Sequence, residues 1–196
     1  DFPALTVEYN GLVFVPLERL LPYRANQSVF RRGWLTDLQH FFVSHLFVQL
    51  LTYLTLWPAT IFFAGLTGPG LQQLVQSQPL WLQALEVMVI ADLSEYSIHR
   101  LFHVVPWMWR FHAVHHSVEH MDWIAGSRQH ILELICTRVG VLGALYILGF
   151  DKVVMDIYII VVGFQAVFNH ANVHLPWGPI KYLIVTPDFH HWHHSS

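Results

Sequence analysis

The 196-residue chain is short of charge: 12% of its residues are Asp, Glu, Lys or Arg, against roughly 25% in an average soluble domain. Residues 38–85 contain none of the four, a stretch longer than the roughly 20 apolar residues that cross a bilayer once. With 54% hydrophobic residues overall, an ordinary soluble domain is excluded and an integral membrane protein is implied. Cysteine is scarce as well. Cys136 stands alone, so there is no intramolecular disulfide and no Cys-rich zinc or iron–sulfur framework. A formal net charge of -3 with no long basic run gives no reason to expect nucleic acid as a partner. No Gly-x-Gly-x-x-Gly run suggests a flavin or nicotinamide site. The chain opens at Asp1 without Met and stops at Ser196 directly after a histidine cluster, so both ends of the natural protein are expected to be missing.

What the chain does have is apolar runs of membrane length. Residues 1–37 mix Pro3, Pro16 and Pro22 with Arg19, Arg24, Arg31 and Arg32, and read as an N-terminal interfacial arm or the trimmed end of an earlier span. Spans are expected at 41–64, 80–103, 131–148 and 153–174, with breakers at 65–70, an uncharged polar connection at 72–79 and a tight link at 149–152. The expected fold is therefore all-α, a four-helix membrane unit forming one domain over residues 38–196. Lys and Arg collect on the cytoplasmic side of short loops. Placing Arg31 and Arg32 inside puts Arg100, Arg110, Arg128 and Lys181 on the same side and leaves only Lys152 opposite. This threading sets every clustered histidine on the cytoplasmic face.

Fifteen residues are histidine, and most fall in regular groups. His99 and His103 are four apart, as are His170 and His174; on a helix such residues share a face and can flank one ion. His112, His115 and His116 lie within five residues, and His190, His193 and His194 repeat that spacing. Neutral imidazole is a common ligand of iron and zinc. Any one group could be interfacial histidines, but four of them on one side of the membrane point to a metal site. Ten imidazoles exceed the needs of one tetrahedral or octahedral ion, so two metals are favoured. There is no His-Glu-x-x-His zinc-protease helix and no Glu-x-x-His of the carboxylate-bridged bundles.

Asp92 and Glu95 precede His99 and His103 at helical spacing. They are expected to accept the far ring N–H of ligand histidines, which fixes the tautomer and raises basicity. His191 would point elsewhere on a helix. His40 and His45 are read as interfacial or helix–helix contacts, and His120 and His130 as structural or supporting residues. The tryptophans at 107, 109, 123, 177 and 192 suit an aromatic belt.

The set His99-x3-His103, His112-x2-His115-His116, His170-x3-His174 and His190-x2-His193-His194 resembles the fatty acid hydroxylase and sterol desaturase superfamily of membrane di-iron enzymes. The runs His-Arg-Leu-Phe-His and Trp-Arg-Phe-His-Ala-Val-His-His fit it as well. The likeness runs from about residue 31 to the end of the chain. It implies that these ten histidines hold two iron ions, that molecular oxygen is a co-substrate and that the substrate is a lipid, hydroxylated or desaturated. Electrons would come from a protein partner, a b-type cytochrome or a ferredoxin with its reductase. The three-residue spacing of the first box looks more like the sterol-oxidising branch. Two rival readings stay open at this point, a zinc-dependent lipid hydrolase and a metal-binding transporter or sensor without redox activity.

Overall fold

The computed structural model describes residues 2–65 and 67–195; the side chains of 2–8 and of part of the 45–59 stretch, His45 among them, lie outside the described set. The regular elements are helices: α1 Phe2–Leu20, α2 Trp34–Ala64, α3 Pro69–Gln76, α4 Leu80–Val104, α5 Pro106–His115, α6 Ile131–Leu148, α7 Lys152–His170 and α8 Pro187–His193. Short 3-10 turns occupy Ala125–Ser127 and Gly178–Tyr182. Among the described residues there is no strand, only an isolated bridge between Pro22 and Val173. The all-α expectation therefore holds. Helix α6 has the bounds expected of the third span, and α2 and α4 enclose the first two. Helix α7 ends at His170, four residues before the expected end of the last span.

Among the described residues, α6 and α7 are the two helices long and apolar enough to cross a membrane. Most of their residues remain uncovered by the rest of the chain. On α7, Val153, Ile157, Ile159, Ile160 and Phe164 are all exposed. The core helix of a soluble protein hides such residues.

The chain divides into two compact units. One is made of Phe47–His112 and His130–Val162. In it α4 and α6 lie against each other, and Val87, Ala91, Val141, Leu145, Phe150 and Tyr158 form a core. Glycine lets α6 be approached closely: a Cβ at Gly143 would come 2.7 Å from the Phe63 ring, the small-residue device of membrane helix packing. Helix α6 stops at Gly149, whose φ of 68° is left-handed, a conformation that costs little only for glycine. The connection expected at 72–79 is in part helix α3, and its glutamines have a purpose. Gln72 donates to the carbonyls of Tyr146 and Ile147 and Gln76 to that of Gly149, satisfying acceptors that a helix end leaves open. At the other end of α6, His130 is the N-cap and accepts the N–H of Leu132, a structural contact.

The other unit is made of Asp1–Leu46, Ala113–Gln129 and Gly163–Ser196. Phe14, Val15, Leu17 and Trp34 pack into its core. Phe14 is fully buried with Phe41, Trp123, Ile124, Ala171 and Val173. The Glu18 carboxylate accepts the backbone N–H of Trp123 at 2.7 Å and of Asn172 at 2.9 Å, and burial pushes its pKa up to about 7. The chain leaving α7 is held extended: Tyr23 N–H donates to Asn172 O, and His174 N–H to Leu21 O at 2.8 Å.

Candidate metal centre

In the unit formed by Phe47–His112 and His130–Val162, α4 and α5 bring His99, His103 and His112 together, with ligand nitrogens all within 4.8 Å of one another. Nε2 of His103 lies 3.2 Å from Nε2 of His99 and 3.1 Å from Nε2 of His112. His112 is buried, and its Nδ1 sits 2.7 Å from Oε1 of Glu133 in the first turn of α6. A carboxylate can only accept, so Nδ1 of His112 carries the proton and Nε2 presents a lone pair to the other two rings.

Helical spacing predicts the same supporting role for Asp92 and Glu95. Both lie on α4; Glu95 is close enough to Glu133 and His112 to interact electrostatically with them, and the carboxylate on Nδ1 of His112 is that of Glu133. Helical spacing placed the two acids on the histidine face of their own helix; it could not show which other helix packs against His112. The signal in the sequence is an acid in the first turn of a largely apolar span, costly there unless paired.

In the other unit, His115 of α5, His170 at the end of α7, His190 of α8 and His194 just after it form a second group, again with ligand nitrogens within 4.8 Å. Nε2 of His170 is 3.2 Å from Nε2 of His115 and 2.9 Å from Nε2 of His190. Nδ1 of His115 donates to the carbonyl of Arg128 at 3.1 Å, and Nδ1 of His170 to that of Ala166 at 2.8 Å. Carbonyls accept, so in both neutral rings the proton is on Nδ1 and two Nε2 lone pairs face each other. Two acceptors at that separation repel unless a cation lies between them. Metal–imidazole bonds of about 2.0–2.1 Å put neighbouring ligand nitrogens roughly 2.8–3.4 Å apart for ligand angles between octahedral and tetrahedral. The observed separations of 2.9 to 3.2 Å match, so both groups fit a metal ion.

His116 stacks on His194 with ring centres 4.4 Å apart and stands edge-on to His193 at 4.8 Å. His174 is brought into neither group; its exposed ring meets Asp188 at 2.7 Å. The four-residue spacing from His170 implied a shared face only if the helix continued, and α7 ends at His170. His191 is buried away from the cluster, donating Nε2–H to Ala171 O at 3.0 Å. Burial pushes its pKa down, so the ring stays neutral.

A family model described as fatty acid hydroxylase matches residues 84–196. The ornithine lipid hydroxylase OlsE of Rhizobium tropici is 32% identical over 185 residues, covering 91% of this chain and 55% of that protein. The C-4 methylsterol oxidase erg25 of Schizosaccharomyces pombe is 30% identical over 114 residues, 55% of this chain and 38% of the other. The very-long-chain aldehyde decarbonylase GL1-4 of Oryza sativa is 26% identical over 159 residues, 72% of this chain and 25% of its own. The chain thus spans about half the length, or less, of the curated relatives it matches. No solved structure matches it.

Proposed function

Because this chain belongs to the fatty acid hydroxylase family, we propose that it is a multi-pass membrane oxidoreductase that uses molecular oxygen to hydroxylate or desaturate a lipid. The observation that supports this most directly is the pair of histidine groups in which Nε2 atoms converge at 2.9 to 3.2 Å while the far nitrogens of His112, His115 and His170 are held by acceptors. His99, His103 and His112 would hold one iron, and His115, His170, His190 and His194 the other. His116 and His193 join as ring neighbours, and His174 is the weakest of the ten candidates. Bound iron would supply the reduction of oxygen and the attack on an unactivated C–H bond.

The chain's own residues set the conditions. Glu133 keeps the proton of His112 on Nδ1, and the Arg128 and Ala166 carbonyls do the same for His115 and His170. Ligand rings held in one tautomer do not have to reorganise to bind a cation. The uncovered apolar faces of α6 and α7 suit a bilayer, from which a lipid would reach the site. Four spans with the histidines on the cytoplasmic side follow from the distribution of Lys and Arg. Electrons would come from a b-type cytochrome or a ferredoxin with its reductase.

The test is to supply the full-length protein, in nanodiscs of its native lipids, with a reductant and 18O2. A lipid product that carries the label, or an alkene formed only with oxygen, is expected, and His115→Ala should abolish it with folding retained. Turnover without oxygen would overturn the reading in favour of metal-assisted hydrolysis.

A further inference from the structure

The second histidine group rests on residues that belong to no histidine box. In the unit containing it, the segment between α5 and α6 is tied down at two points by buried ion pairs. Asp122 takes Nε and Nη2 of Arg31 at 2.9 and 2.7 Å. Through Oδ1 it also accepts the backbone N–H groups of Ile124 and Ala125, which starts the 3-10 turn at Ala125–Ser127. Arg128 is held by Asp37, which also takes Nη2 of Arg31 at 2.6 Å. Arg128 donates further to the carbonyls of Gly33 and Ser117. Two arginines and two aspartates balance in charge, with side chains 12% exposed or less. Such a network is costly to break from one side, because the remaining charge is left buried.

Two contacts run from this tied segment to the metal group. The Arg128 carbonyl receives Nδ1–H of His115. Gly126 lies flat against His170: a Cβ there would come 2.7 Å from Nδ1 and 3.0 Å from Cγ and Cε1. The backbone of Gly126 thus forms a wall on which the His170 ring rests, and only glycine leaves that space.

We infer that residues 122–128 are a positioning cradle for the second metal group, in which Asp37 and Asp122 hold the segment, Gly126 sets the plane of His170 and the Arg128 carbonyl sets the tautomer of His115. None of these residues is a ligand; each acts through a histidine. The inference rests on the proposal that this group binds a metal, and goes beyond it by assigning the residues that set its affinity.

Cobalt(II) binding to metal-stripped full-length protein in detergent tests the cradle without turnover, read by d–d absorption and by stoichiometry. Wild type is expected to bind two ions. Gly126→Ala should keep its helical circular dichroism and the ion on His99, His103 and His112, while affinity at the second group falls about 10–100-fold, the usual effect of disturbing a ligand's support. Asp37→Asn should weaken the same ion and change its absorption bands. Gly163→Ala, at a glycine with nothing within 4 Å of an added Cβ, is the matched control and should bind like wild type. Two ions bound by Gly126→Ala with unchanged affinity and spectrum would overturn the cradle. Failure of folded wild type to fill the second group would instead overturn the metal assignment beneath it.

Discussion

At the residue scale, chemistry at the histidine groups depends on which ring nitrogen carries the proton. Glu133 decides this for His112, so Glu133→Leu should lower metal affinity at His99, His103 and His112 by about 10–100-fold, measured by metal titration. Glu133→Gln keeps an acceptor oxygen and should lose less. Glu18 gives a prediction of a different kind. Its pKa is raised to about 7 by burial, so between the unfolded value near 4.5 and about 7 the folded state holds more protons than the unfolded one. Stability should fall as pH rises through that window. Glu18→Gln should remove this part of the slope, so that its melting temperature gains on wild type from pH 4.5 to 7; parallel profiles would refute it.

At the scale of the element, helix ends separate what the sequence reveals from what it hides. The apolar runs place α4 and α6 almost to the residue, because length and hydropathy are local properties. The end of α7 was not legible: residues 171–174 are as compatible with helix as with turn, and what stops the helix is pairing with residues 21–23, far away in sequence. His174 falls outside both histidine groups, so His174→Ala should keep two ions where His170→Ala keeps one. The box spacing made most of the site readable, since i to i+4 pairs on a helix converge whatever surrounds them. Glu133, Gly126 and Asp37 were hidden because their roles exist only through tertiary contacts. The end of α6 offers a stability check. Gly149 has left-handed φ, and a Cβ there would meet Gln72 at 2.7 Å. Gly149→Ala should cost about 1–2 kcal/mol from the left-handed backbone, seen as a lower melting temperature.

At the scale of the whole molecule, the chain combines exposed apolar helices with buried clusters of histidine and charge. That combination suits a protein solvated by lipid that does metal chemistry at the membrane surface. The proposed threading predicts that reporters placed at Asp151 and at His116 fall on opposite sides of the membrane; the same side for both would contradict it. The central claim is that two separate sets of histidines each hold an ion. Iron analysis of full-length protein purified in detergent, beside His112→Ala, His170→Ala and the double variant, addresses it most directly. Two irons per chain in wild type, one in each single variant and none in the double are expected. A folded wild type without metal, or single variants that keep both irons, would contradict the claim.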